Sequence, residues 1–196
     1  MERSDVRELY YITPIENVPS IMKYGILSHI LSLKVPHHSI AMSEMQDKRK
    51  NKQIPRAGKL HDYANLYFDG HNPMLCKRQS LNDSICVLII EASVIDLPHV
   101  IIADRNAASN YVRFYPVKEG LEAIEKERIF ARYWTHPGNQ YEEWAHKSDK
   151  CAEVLIPNRI EPKYILGAVV ANQVALESLK KLESKLPVEI KGDIFF

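Results

Sequence analysis

The chain lacks most of what would place it quickly in a familiar class. No stretch of its 196 residues reaches the roughly 18 to 20 uncharged apolar positions of a membrane span, and Met1-Glu2-Arg3-Ser4-Asp5 has no apolar segment of the secretory kind. Both absences point to a cytoplasmic protein without a membrane partner. Only three cysteines occur, Cys76, Cys86 and Cys151, with no paired short spacing, which argues against a disulfide framework and against structural zinc. Cys86 and Cys151 lie in apolar runs and read as small core residues. The eight histidines are scattered apart from His37-His38, so no metal is expected. There is no G-x-G-x-x-G, no phosphate loop ending in Gly-Lys-Ser or Gly-Lys-Thr, no H-E-x-x-H and no G-x-S-x-G, so the Rossmann, P-loop, zincin and hydrolase readings lose their motifs. An excess of one charge is missing too. With a formal net charge of +1, any nucleic-acid partner has to be held by a local patch.

What is present is the composition of one soluble domain, 45% hydrophobic and 26% charged, spanning residues 1–196. A local basic patch exists in KRKNKQIPRAGK, where Lys48, Arg49, Lys50, Lys52, Arg56 and Lys59 occur without an acid. Its Ile54-Pro55 and Gly58 have the chemistry of a loop rather than a helix. A solvated surface loop accounts for it. A phosphate-binding patch does so as well, because the loop runs into Leu60-His61-Asp62-Tyr63-Ala64-Asn65-Leu66-Tyr67-Phe68, whose aromatics can stack on bases or fill a core. His61-Asp62 reads first as a hydrogen-bonded structural pair.

The remaining pattern mixes strands and helices without regular βαβ alternation, which favours an α+β fold. Leu9-Tyr10-Tyr11-Ile12-Thr13 reads as a first strand ended by Pro14. A helix follows, with Asn17 as N-cap, Pro19 in its first turn and Gly25 as its stop. Ile85–Val94, His99–Ala103 and Tyr164–Ala171 read as buried strands, and Val188–Lys191 as an edge strand. Helices are expected over Val117–Glu127 and, after an Asn172 cap, over Val174–Leu186. The segment from Ala131 to Trp144 is aromatic and rich in turn residues.

One residue stands out against this background. Glu153 is a lone carboxylate in the apolar run Cys151-Ala152-Glu153-Val154-Leu155-Ile156-Pro157. A charge in a buried strand costs several kcal/mol, of the order of ~2 to 7 even for a neutral polar group, unless it is paired or faces a cleft. A structural ion pair and a catalytic carboxylate both satisfy that condition.

Four segments, taken in order, resemble the DarT family of DNA ADP-ribosyltransferases: Tyr10 through Leu27 (YYITPIENVPSIMKYGIL), Lys59–Tyr63 with Tyr67-Phe68 and Asn72–Leu75, Ala103–Ala107 (ADRNA), and Cys151–Pro157 (CAEVLIP). The resemblance implies an ADP-ribosyltransferase fold of two small packed β-sheets with peripheral helices, and a cleft that holds NAD as co-substrate without a glycine-rich turn. It implies a toxin that transfers ADP-ribose to thymine or guanine in single-stranded DNA, paired with an antitoxin that removes the mark. Glu153 then matches the catalytic glutamate. Arg49 matches the catalytic arginine, with Arg56 near enough to compete. Tyr11, Ile12, Thr13, Pro14, Asn17, Gly25 and Arg49 would hold NAD, and Lys48, Lys50, Lys52, Arg56, Lys59, Tyr133 and Trp134 the DNA. One departure is clear: many members of the family and other ADP-ribosyltransferases carry a histidine near the end of the first strand, where this chain has Ile12-Thr13-Pro14. Thr13 can replace part of its hydrogen bonding, and Tyr10 or Tyr11 can stack on a ring. Two other readings stand beside this one, a non-catalytic single-strand-binding module and an ADP-ribosyltransferase that acts on RNA or protein.

Overall fold

The computed structural model describes residues 1–40, 42–182 and 185–196. Strand β1 (Glu8–Pro14) is built from aromatic and β-branched residues that favour extended backbone. A 3-10 turn, Ile15–Asn17, leads into helix α1 (Val18–Tyr24), which ends at Gly25 with φ +87°. A Cβ at Gly25 would lie 2.2 Å from the Ile160 carbonyl oxygen, so both the backbone angle and the close neighbour require glycine. Asn17 departs from the expected N-cap. Its backbone is helical and its side chain caps no helix N–H.

Strand β2 (Ile26–Leu27) and helix α2 (His29–Ser32) precede helix α3 (Ser43–Lys50). Lys48-Arg49-Lys50 therefore closes a helix, which corrects the expected loop. Lys48 pairs with Glu44 one turn earlier at 2.7 Å, and the three cations complement the negative end of the helix dipole. Only the following residues keep turn character, as the hairpin of β3 (Gln53–Ile54) and β4 (Gly58–Lys59).

Strand β5 (Tyr63–Tyr67), helix α4 (Pro73–Cys76), and strands β6 (Ile85–Glu91), β7 (Ile101–Ala103) and β8 (Phe114–Pro116) come next. The long apolar run is a strand only to Glu91, because Ala92–Asp96 turns into a 3-10 helix. The single helix expected over 117–127 is broken into α5 (Val117–Ala123) and α6 (Lys126–Ile129), since Ile124 takes extended backbone and buries its side chain. Helix α7 (Gln140–Asp149), capped by Asn139 accepting from the Glu142 N–H at 3.1 Å, was hidden in the aromatic, turn-rich segment. The chain closes with β9 (Glu153–Pro157), β10 (Arg159–Ile160), β11 (Ile165–Val170), α8 (Gln173–Lys180) and β12 (Val188–Ile190). Asn172 caps α8 as expected, and the helix ends at Lys180; the expected range to Leu186 takes in residues 183 and 184, which lie outside the described residues.

The fold class is α+β, with one correction to its sheets. Eight strands form one mixed sheet in the order β12-β11-β6-β1-β5-β9-β7-β8, beside two small two-stranded pairs. The expected division into two sheets survives as a seam, because β1 and β5 pair only at Tyr10 and Tyr67. On one side β1 runs antiparallel to β6 along its whole length; on the other, β5 does so with β9. The two halves part beyond the single rung.

Side-chain alternation along β9 places Val154 and Ile156 in the main core with Leu66 and Ile102. Leu155 points the other way, into a smaller cluster with Ile54, Leu60, Tyr63, Ala103 and Ala107. Glu153 shares that second face. Burial on both faces explains why β9 reads as a continuous apolar run with one charge in it.

Candidate active site

Where the sheet halves diverge, a cleft of about 580 Å³ opens, with Tyr11–Pro14 of β1 on one wall and Tyr63, Asn65 and Tyr67 of β5 on another. All seven residues expected to hold a dinucleotide line it: Tyr11, Ile12, Thr13, Pro14, Asn17, Gly25 and Arg49. Asn17 lines it while gripping the opposite loop. Its amide donates to the His38 carbonyl at 2.7 Å and to Thr13 Oγ1 at 3.3 Å, and its carbonyl oxygen accepts the His38 N–H at 2.9 Å. One side chain thus pins residue 38 across the cleft as a strand neighbour would.

At the base of the cleft, Arg49 and Glu153 meet across 104 residues of sequence. Two parallel hydrogen bonds join them, Nη1 to Oε1 at 2.9 Å and Nη2 to Oε2 at 3.0 Å. This is the bidentate geometry in which a planar guanidinium binds a carboxylate most strongly. The Ala107 N–H donates to Oε1 at 2.9 Å, so Glu153 accepts three hydrogen bonds in a site where it is only 1% exposed. Burial opposes the Arg49 charge, but the adjoining carboxylate outweighs it and holds the guanidinium above its ordinary pKa. Arg49 lines the cleft, and Glu153 lies directly behind it. The pair is in contact, with no space between the partners for a sugar in this state. Arg56 takes φ +61° in the β3–β4 hairpin and lies away from the cleft lining.

Register explains the surroundings. Tyr67 and Ala103 sit opposite Glu153 on the two flanking strands. Burial, and after it the Glu153 charge, pushes the Tyr67 phenol well above its ordinary pKa, so it remains a neutral donor. Pattern reading left Tyr67 undivided from Tyr63 and Phe68. The structure separates them: Phe68 is core, Tyr63 donates to the Ala57 carbonyl at 2.9 Å, and Tyr67 faces the cleft.

The residues expected to touch DNA divide as well. Lys48 lines the cleft, whereas Lys50, Lys52, Arg56 and Lys59 lie outside its lining, with Lys52 Nζ donating to the Ser109 carbonyl at 2.7 Å. Tyr133 is exposed. Trp134 is a correction: it is 7% exposed, packed beside His71 and Phe196 with Lys150 Nζ 5.9 Å from its ring centroid, and presents no face to a strand. Trp144 on α7 lines the cleft instead, with Lys147 and Ser148 beside it and Tyr141 edge-on at 5.9 Å. Histidines also reach the cleft, although none stands at the end of β1. His29, His37, His38 and His61 arrive from loops and short helices, which a local motif does not reveal. Among the described residues no group of three metal-ligating side chains converges, and no helix is long and apolar enough to cross a membrane.

The cleft thus lies at the split in the sheet, with the glutamate–arginine pair below it. Residues 10–196 match the family described as "ssDNA thymidine ADP-ribosyltransferase, DarT", and the chain belongs to the DarT family. It is 33% identical to a DNA ADP-ribosyl transferase–DNA ADP-ribosyl glycohydrolase fusion protein of Thermosipho africanus (strain H17ap60334), over 97% of this chain and 49% of that protein. The chain thus spans about half the length of that relative. Thermus sp. 2.9 DarT in complex with ADP-ribosylated ssDNA superposes with a TM-score of 0.82 at 27% identity, covering 98% of this chain and 97% of that one. The same Thermus protein in complex with carba-NAD+ gives 0.77 at 26% identity, covering 98% and 99%.

Proposed function

We propose that this chain transfers ADP-ribose from NAD to thymidine in single-stranded DNA, with Glu153 and Arg49 as its catalytic pair. The observation that carries the reading is the bidentate contact between these two side chains at the base of a cleft large enough for an extended dinucleotide. In the reaction, the bond between the ribose anomeric carbon and nicotinamide breaks and its electron pair leaves with nicotinamide. A ring nitrogen of the base forms the new bond to that carbon and gives up its proton. The transition state resembles an oxocarbenium ion, which a carboxylate against the ribose hydroxyls orients and stabilises.

Glu153 supplies that carboxylate once Arg49 gives up one of its two bonds. Ala107 keeps Oε1 in place, and Oε2 is then free to accept from a ribose hydroxyl. Guanidinium stays protonated, so Arg49 acts by binding phosphate oxygens or by stabilising negative charge on the base as its proton leaves. Tyr11, Ile12, Thr13, Pro14 and Gly25 form the NAD wall, and Asn17 holds the loop that faces it. Lys48 binds DNA phosphates at the cleft, Lys50, Lys52, Arg56 and Lys59 bind them outside it, and Tyr133 lies on the surface a strand would cross. A base stacked in duplex cannot enter the cleft, so the single strand is the substrate.

The relative fused to a DNA ADP-ribosyl glycohydrolase supports pairing with an activity that removes the mark, the relation of a toxin to its antitoxin. Mass analysis of a mixed-sequence oligonucleotide incubated with NAD and the purified chain tests the reading. One added ADP-ribose on thymidine, with nicotinamide released, is the expected product, and Glu153→Ala abolishes it. Equal modification by the Glu153→Ala protein rejects the catalytic pair.

A further inference from the structure

The loop between β7 and β8, residues 104–113, holds Glu153 through Ala107 and presents Tyr111 81% exposed to solvent. A single exposed aromatic is ordinary on a protein surface, so what distinguishes Tyr111 is where it stands and how it is held. Asn106, Ala108, Ser109 and Asn110 line the cleft, and Tyr111 comes next, just outside the lining. The segment is tied down at both ends. At its start the Asn106 N–H donates to the Ser148 carbonyl of α7 at 2.9 Å, one helical turn from Trp144. At its far end Lys52 reaches the Ser109 carbonyl, Ser109 Oγ accepts the Tyr111 N–H at 3.2 Å, and Asp104 Oδ1 accepts the Arg113 N–H at 3.0 Å. Val112 packs on the small cluster that holds Ala107 and, from the basic hairpin, Ile54 and Ala57. The exposed Arg56 and Lys59 belong to that same hairpin.

Two flat side chains therefore stand at the two ends of one short rim, Trp144 on α7 and Tyr111 on the loop, and Ala107 holds the Glu153 carboxylate between them. An aromatic face beside cations is what a single strand needs, because bases stack on the ring while phosphates meet the charges. The ordering cost is low. Tyrosine has few torsions to fix, and the backbone that carries Tyr111 is already fixed by its hydrogen bonds. To reach the ribose carbon beside Glu153, the acceptor base has to pass over this rim, and its neighbours in the strand then extend past the two ends. Holding a neighbour on each side keeps the acceptor out of its own stack. It also leaves the acceptor's ring nitrogen free to form the new bond.

We propose that Tyr111 is a stacking platform for the base next to the acceptor thymidine, on the side opposite the neighbour that stacks on Trp144. This rests on the ADP-ribosyl transfer reading above. The test uses single strands with one thymidine, either intact or with an abasic analogue at the 5′ or the 3′ neighbour, and compares the parent with Tyr111→Ala, Tyr111→Phe and Trp144→Ala. Each abasic neighbour is expected to lower the parent's kcat/KM about tenfold. Tyr111→Ala lowers kcat/KM on the intact strand by a similar factor and no longer responds to one of the two abasic positions, while it still responds to the other. Trp144→Ala shows the reverse pattern, and Tyr111→Phe, which keeps the ring, recovers most of the loss. Tm and the NAD affinity measured by calorimetry stay near the parent values in Tyr111→Ala. A Tyr111→Ala protein as active as the parent, or one that responds to both abasic positions as the parent does, overturns the assignment. So does loss of response to the same neighbour in Tyr111→Ala and Trp144→Ala, or a Tyr111→Phe protein as impaired as Tyr111→Ala. A parent that releases no nicotinamide from NAD with the intact strand would instead defeat the underlying transfer reading.

Discussion

Two buried ion pairs flank the segment Cys151–Ala152, and they have opposite uses. Lys150 reaches away from the cleft, where Nζ donates to Asp69 Oδ2 at 2.6 Å and to the Ile129 carbonyl at 2.8 Å beneath Trp134. Glu153 turns toward the cleft and meets Arg49. Both pairs bear the desolvation cost of a buried charge. Their partners differ: the contacts of Lys150 are fixed by core-packed segments, whereas Arg49 stands on α3, a helix with no buried residue. Burial of a charge therefore does not identify a catalytic residue. An ion pair becomes reactive when one member can leave it, and the proposed mechanism asks this of the pair on the cleft alone.

The largest expected effect tests this contrast directly. Glu153→Gln keeps the side-chain shape but is expected to lower transfer about 10³-fold while shifting Tm by no more than about 3 °C. Activity and melting curves on one preparation check both numbers. Lys150→Ala should do the reverse, costing about 3 kcal/mol or roughly 10 °C in Tm while leaving kcat near the parent value in the remaining folded protein. Equal stability losses in the two variants would erase the distinction.

The two tryptophans sharpen the same comparison at smaller scale. Trp134→Ala is expected to cost about 3 kcal/mol by emptying a packed site. Trp144→Ala, on a side chain 55% exposed at the cleft, should leave Tm unchanged and weaken single-strand binding by about 1 to 3 kcal/mol in a fluorescence titration.

The smallest effect is one of pH. Burial holds His61 below its unfolded pKa, so the unfolded chain binds the extra proton first as pH falls. Its contribution to stability is complete above about pH 6.5 and is lost as pH drops toward about 4. Urea unfolding at pH 7 and pH 5 measures the slope, and His61→Phe should flatten it.

Much of this was legible in the sequence because it depends on local pattern. An isolated carboxylate in an apolar run exposed Glu153, proline and glycine marked the ends of β1 and α1, and Asn172 marked the start of α8. Lys150 escaped notice, since a lysine just outside an apolar run looks like a solvated boundary residue. Trp134 and Trp144 could not be told apart, because their burial depends on α7, and turn-rich composition hid that helix. The Asn17 grip on residue 38 and the approach of His29 to His61 are contacts between distant segments with no periodicity to announce them. The two-sheet expectation failed at one position, the Tyr10–Tyr67 rung that joins the halves.

That lone rung has a consequence for what the gap beside it can hold. Past it, the main-chain amides and carbonyls of β1 on the side toward β5 are not consumed by strand pairing, so an interior strand offers a raw edge to whatever fills the gap. Grip by peptide groups is indifferent to side-chain identity. If the dinucleotide sits here as proposed, the residue at position 13 can be exchanged without dismantling its seat, provided the spacing of the two half-sheets is kept.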